Sequence, residues 1–151
     1  MRIVVDAMGS DTNPVPDVEG AVLAAREFGD TIILVGDQAR IEAEIGKYDT
    51  AGLALEVLHA PEAVTMTDKP GVVGRAKPAS SMHVGMRLVK DRQAEAFVTA
   101  GNTGAALAIA LLQTLRRIEG IYRPALSAIL DVRSQAVILL DRGKILDQGP
   151  P

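Results

Sequence analysis

The chain has no cysteine and no tryptophan, and only four aromatic residues and two histidines among 151. Without cysteine there is no disulfide, no thiolate metal ligand and no thiol nucleophile. His59 and His83 lie far apart in sequence, so a zinc site would have to be built mainly from carboxylates. Neither a metal nor a cofactor is expected. Phe28, Tyr48, Phe97 and Tyr122 are too few rings for a base-stacking platform. Positive charge is not in excess: 16 Lys and Arg stand against 19 Asp and Glu, a net charge of −3. Counterion release cannot then drive generic nucleic-acid binding, and no nucleic-acid partner is expected. Long apolar runs are missing too. The longest, Ala105 to Leu112, has eight residues, where a bilayer needs about 20. The apolar stretch after Arg2 stops at Asp6, too early for a signal-peptide core. The expectation is a cytoplasmic protein that crosses no membrane, any contact with one being made through a partner or a second half.

What is present is a globular mixture, 48% hydrophobic and 23% charged, at a length that suits one domain. Short apolar runs alternate with amphipathic ones. Ile3, Val4 and Val5 form a buried strand over Arg2 to Asp6. A loop rich in Gly, Ser, Asp, Asn and Pro spans residues 9 to 16, and Pro16 suits the first turn of a helix. Val18, Ala21, Val22, Ala25 and Phe28 recur at helical spacing, and Gly29-Asp30 stops that helix. Thr31 to Val35 and Leu53 to Leu58 read as the second and third strands, with a short helix around Ile41 and Ile45 between them. Residues 59 to 80, with Pro61, Pro70, Pro78, Gly71 and Gly74, form a long loop of the kind that is often functional.

Ser80 or Ser81 can cap the next helix, whose inner face carries Met82, Gly85, Met86 and Val89. A fourth strand is expected over Ala96 to Thr99, an alanine-rich helix over Ala105 to Arg116, and further strands over Ala125 to Leu130 and Ala136 to Leu140. Strand–helix alternation indicates an α/β fold: a three-layer, Rossmann-like sandwich around a parallel sheet. Ligands bind such sheets at the carboxyl ends of the strands. The loops after Asp6, Val35, Leu58 and Thr99 therefore face the expected site.

Three of these segments can carry chemistry. Ala100-Gly101-Asn102-Thr103-Gly104-Ala105 joins a strand to a helix. Free N–H groups at a helix start favour an anion, and glycine lets it approach. The same pattern also makes an ordinary tight turn with Asn102 as helix cap. It is neither a dinucleotide fingerprint nor a P-loop, since Gly46-Lys47 is followed by Tyr48 and Gly143-Lys144 by Ile145. Asp6-Ala7-Met8-Gly9-Ser10-Asp11 sets two carboxylates after the first strand, either to orient a partner or to tie the loop through Asx turns. Lys69, Arg75 and Lys77, followed by Ser80 and Ser81, offer donors to a phosphate, or else a solvated basic patch. Arg123 precedes a strand and can reach the same region. His83 reads as a packed side chain rather than a base, and His59 as a minor candidate.

In this order the pieces resemble the amino-terminal half of the phosphate acyltransferases of bacterial phospholipid synthesis, the PlsX family. The matching residues are the opening strand with Asp6-Ala7-Met8-Gly9-Ser10-Asp11, then Leu34-Val35-Gly36-Asp37, Ser80-Ser81-Met82, Ala100 to Ala105, and Arg123-Pro124-Ala125-Leu126. The spacing fits to about residue 130, within a single domain over 1–151 whose residues 131–151 form a divergent tail. The resemblance implies an incomplete form of the phosphotransacetylase-like fold. It implies acyl-phosphate synthesis from acyl carrier protein thioester and inorganic phosphate. It also implies a homodimer, peripheral membrane association, and hand-over of product to a membrane glycerol-3-phosphate acyltransferase.

On this reading Gly101, Asn102, Thr103, Gly104, Ser81 and Arg123 bind phosphate. Asn102, Arg75 and Lys77 are the catalytic candidates, and Asp6, Gly9 and Asp11 support the loop. The rivals are a non-catalytic fragment that binds phosphate or acyl carrier protein, and a phosphotransacetylase-type enzyme using a coenzyme A thioester. Three departures stand out. Gly9-Ser10-Asp11 replaces the family's usual Gly-Gly-Asp. Leu139-Leu140-Asp141-Arg142-Gly143-Lys144-Ile145 stands where the family has Leu-Leu-Asp-Val-Gly-Ala-Asn. Family members also run well past residue 151, so a truncated or frameshifted product is expected. The stretch from Val137 faintly resembles the closing strands of transporter ATPases, a coincidence in the absence of a P-loop.

Overall fold

The computed structural model describes residues 1–115, 119–120, 126–132 and 135–141. The chain divides into two compact units, Met1–Arg116 and Arg117–Pro151. The first holds a four-stranded sheet built from β1 (Arg2–Asp6), β2 (Thr31–Gly36), β3 (Leu55–His59) and β4 (Ala96–Val98), in the order β3-β2-β1-β4. All three pairings are parallel, with Ile3 opposite both Ile32 and Ala96. The carboxyl ends of β1 and β4 therefore lie side by side.

β2 is nearly all buried, and its side chains alternate between two cores. Ile32 and Leu34 pack with Val18, Ala21, Val22 and Ala25 of α1 (Val15–Phe28) and with Ile41 of α2 (Gln38–Ile45). Ile33 and Val35 pack on the other side with Val4, Val84 and Leu88. A strand buried on both faces between helices is what a three-layer parallel sheet requires. The period of α1 holds except at Phe28, which is 67% exposed. It is the last helical residue, and Gly29 turns the chain away with a left-handed φ of 68°.

The segment expected to be a long loop contains a helix, α3 (Pro70–Ala76), with Pro70 at its start. Pro and Gly concealed it, because seven residues, about two turns, give no measurable apolar period. α4 (Ser81–Lys90) follows, capped by Ser80, whose side chain accepts from the His83 amide. Gly85 lets α4 lie on β4: a Cβ there would stand 2.5 Å from Cε2 of Phe97. α5 (Thr103–Ile109) starts two residues before the alanine run and widens at Ala110–Thr114 into a π-helical turn. There the Leu115 amide donates to the Ala110 carbonyl, and the Thr114 hydroxyl donates to the Ile109 carbonyl. α3, α4 and α5 share a third core of Val73, Met82, Met86, Ala105 and Ile109.

The second unit contains an antiparallel pair, β5 (Leu126–Val132) and β6 (Gln135–Asp141), with Val132 opposite Gln135. Both strands were expected, but this geometry departs from parallel continuation. Two intervening residues are too few for a parallel crossover, which needs a dozen or more.

Candidate functional site

Asp6, at the carboxyl end of β1, is almost fully buried. One carboxylate oxygen accepts from the Met8 amide at 3.1 Å. The other accepts from the Thr99 hydroxyl at 2.8 Å, and Thr99 Oγ1 in turn accepts from the Gly101 amide at 3.0 Å. A single relay thus ties the first loop to the turn after β4. Gly9 lies at the crossing. A Cβ there would be 2.9 Å from both the Gly101 nitrogen and Thr99 Oγ1. Gly101 is equally confined, by Met82 Cε at 2.8 Å and by the Gly9 Cα at 3.2 Å. The two glycines are needed because two backbones approach too closely for any side chain. Among the described residues only Arg92 combines a side chain with a positive φ. Ser10 therefore takes its place in the loop without left-handed strain, and its hydroxyl donates to Asp17 at 2.5 Å. Burial pushes the Asp17 carboxyl above its ordinary range, partly opposed by that hydrogen bond.

Asn102 is the cap of α5. Its Oδ1 accepts from the Ala105 amide at 3.0 Å. Its Nδ2 donates to the carbonyls of Thr65, Met66 and Asp68 at 3.2, 3.4 and 3.0 Å. One side chain therefore starts the helix and fastens a strap, residues 61–69, against it. Lys77 holds the same strap: Nζ donates to the Ala63 carbonyl at 3.0 Å and pairs with Asp68 at 2.6 Å. Lys77 holds the Asp68 carboxyl below the usual carboxylate range, helped by the Thr65 amide. Gly104 sits under α3, where a Cβ would be 2.8 Å from Pro70 Cγ. Thr103 is exposed at the first helical position, and the first N–H groups of any helix lack intrahelical acceptors.

The start of α4 closes this region. The Ser81 amide donates to the Glu62 carbonyl at 3.0 Å. Ser81 is fully buried, and its hydroxyl has no partner among the described residues. His83 Nε2 lies 2.9 Å from the Gly74 carbonyl and Nδ1 lies 2.8 Å from Ser80 Oγ. A carbonyl only accepts, so the Nε2 nitrogen carries the proton and Nδ1 accepts from Ser80. Burial lowers the His83 pKa below its ordinary value. As the sequence suggested, His83 packs; it links α3 to α4.

Between the first loop and the strap is a cleft of about 240 Å³, lined by residues 8–11 and 13 and by residues 63–66. Arg40 of α2 braces the near wall by donating to the Asn13 carbonyl and side chain at 2.6 and 3.0 Å.

Of the residues expected at the site, the fold brings Asp6, Gly9, Gly101, Asn102 and Gly104 together, with Lys77 fastened to the strap and Ser81 at the head of α4. Asp11 is exposed on the cleft wall. Arg75 is exposed in the last turn of α3 and forms no ion pair among the described residues. Arg123 lies outside the described residues. Sequence reasoning passed over Thr99, Asp68 and Arg40. A threonine two residues before a strand-end glycine carries an ST-turn signal. Nothing local marks Asp68 or Arg40, whose partners are distant in the chain.

The family model described as "Fatty acid synthesis protein" matches residues 1–150. This chain belongs to that family. Relatives named phosphate acyltransferase include those of Herpetosiphon aurantiacus, 49% identical over 150 residues, and Koribacter versatilis, 47% identical over 152. The one from Geobacter sulfurreducens is 44% identical over 150 residues. Each match covers 99% of this chain but 40%, 42% and 43% of the relative, respectively. The chain thus spans about two fifths of the length of these fatty acid synthesis family members. The order of motifs had pointed to the same family. Among the described residues no helix is long and apolar enough to cross a membrane.

Proposed function

We propose that this chain carries the phosphate-holding part of a phosphate acyltransferase that makes acyl-phosphate from acyl carrier protein thioester and inorganic phosphate. The observation that carries the proposal is the Gly101–Gly104 turn, buttressed by the first loop at the carboxyl ends of adjacent strands, in a chain 49% identical to a relative of that name. A phosphate oxygen attacks the thioester carbonyl carbon, the C–S bond breaks, and the sulfur leaves as thiol with the proton that phosphate gives up. Phosphate is already anionic at neutral pH. The protein's task is therefore to hold it beside the carbonyl and to stabilise the developing oxyanion.

Thr103 and Gly104 supply first-turn amides, and the Ser81 hydroxyl, unpartnered among the described residues, supplies a further donor. Arg75 and Arg123 supply positive charge. Asn102 and Lys77 serve as positioning residues, because their polar atoms hold the strap. A homodimer, peripheral contact with a membrane and hand-over to a membrane glycerol-3-phosphate acyltransferase complete the proposal for the whole protein.

The test follows free thiol when the chain is mixed with acyl carrier protein thioester. The protein contributes no thiol background. Release that requires added phosphate is the expected result. Phosphate binding without release, in a chain shown to be folded, replaces the proposal with the non-catalytic binding reading. Equal release from a coenzyme A thioester favours the phosphotransacetylase reading.

A further inference from the structure

The polar side chains along the cleft, Asp11 apart, are already occupied. Ser10 donates to Asp17, and Asn13 Nδ2 donates to the carbonyls of Met8 and Ser10 while its Oδ1 accepts from Arg40. The Thr65 amide donates to Asp68, and its hydroxyl pairs with Thr67. Among the described residues no lysine or arginine lines the cleft, and the one ionisable residue that does is Asp11. These side chains therefore offer little to a phosphate. What the cleft offers is the apolar surface of Met8, Ala63, Val64 and Met66. Met66 is 54% exposed and Met8 only 5%, so an adjustable lip stands over a packed floor.

Both walls of the cleft also touch the turn after β4. Gly9 crosses Gly101, and Asn102 grips the Thr65 and Met66 carbonyls. A chain lying in the cleft would thus be led to the turn. Building on the acyl-transfer reading, we infer that this cleft holds the acyl chain of the thioester, with its carbonyl end at the Gly101–Gly104 turn.

The experiment titrates the full chain by calorimetry with acetyl-pantetheine, octanoyl-pantetheine and, separately, inorganic phosphate. The octanoyl compound should bind more tightly by at least about tenfold, since roughly two of its added methylenes leaving water suffice for that. Met66→Glu, at an exposed position, should erase that gain and leave phosphate affinity as it was. Ala63→Leu, which narrows the cleft, should reduce the gain by a second route. Absence of any chain-length gain overturns the inference, as does a gain that survives both folded variants. A fall in phosphate affinity in both variants overturns it too, by placing phosphate in the cleft. The outcomes separate from those of the acyl-transfer reading. An intact gain without phosphate-dependent thiol release leaves the cleft an acyl-chain site and removes the transfer reaction. Release without a gain removes the cleft assignment alone.

Discussion

Thr99 joins a buried carboxylate on β1 to the amide of Gly101 through one hydroxyl. Thr99→Val keeps the shape and removes both bonds. It should cost about 1–3 kcal/mol, because the buried Asp6 carboxylate and the part-buried Gly101 amide are left without these partners; chemical denaturation measures this. Ser81 is the opposite case. Its hydroxyl is buried and lacks a partner among the described residues, so Ser81→Ala should leave stability within about 0.5 kcal/mol. If that hydroxyl meets phosphate, the same variant weakens phosphate affinity by roughly tenfold, the equivalent of one hydrogen bond. A drop in stability with unchanged affinity would remove Ser81 from the site. Gly9→Ala would place a methyl group 2.9 Å from the Gly101 nitrogen. Overpacking of this kind should cost about 1–3 kcal/mol, and it should displace the turn, so a loss of phosphate binding should accompany the lower melting temperature.

At the scale of elements, the site depends on three short helices with overlapping fastenings. Asn102 caps α5 and grips the strap. Lys77, just after α3, grips it again through Asp68. That pair is partly exposed, so by itself it is worth about 0–1 kcal/mol. Its value is geometric. Lys77→Met should leave the melting temperature nearly unchanged while amide hydrogen exchange over residues 63–68 speeds up; protection equal to that of the native chain would show that Asn102 suffices. Ser80 caps α4 and hydrogen-bonds His83. Ser80→Ala should therefore cost about 1–2 kcal/mol, at the upper part of the range for a lost cap.

The whole molecule should sense pH through His83. Its folded pKa lies below the ordinary value of 6.5 because of burial. At neutral pH both folded and unfolded states hold the ring uncharged, and its contribution is complete. As pH falls below about 6.5 the unfolded chain takes up a proton that the folded chain resists, so stability declines. Asp68, held low by Lys77, adds loss only once pH falls below the usual carboxylate value of 3.8. Thermal melts between pH 8 and pH 5 should slope downward, and the slope should flatten in His83→Gln. An identical slope in that variant would assign the effect to other groups.

Local physics made much of this chain legible beforehand. Ile3 to Val5 and Thr31 to Val35 read as strands because runs of mostly β-branched side chains favour extended backbone covered by neighbours, and Val4 and Ile32 to Val35 are buried. Ser80 and Asn102 announce helix starts, because a short side-chain oxygen before an apolar run satisfies free amides. The order of these motifs was enough to indicate the family. The tertiary structure decided what no window of sequence contains. It assigned Asn102 and Lys77 to a strap distant in the chain, placed Thr99 between Asp6 and Gly101, and turned two expected strands into an antiparallel pair. It also left a cleft whose polar side chains, Asp11 apart, are satisfied from within. Those outcomes depend on which backbones cross, and at Gly9 and Gly101 the crossing is so close that the absence of a side chain is itself the determinant.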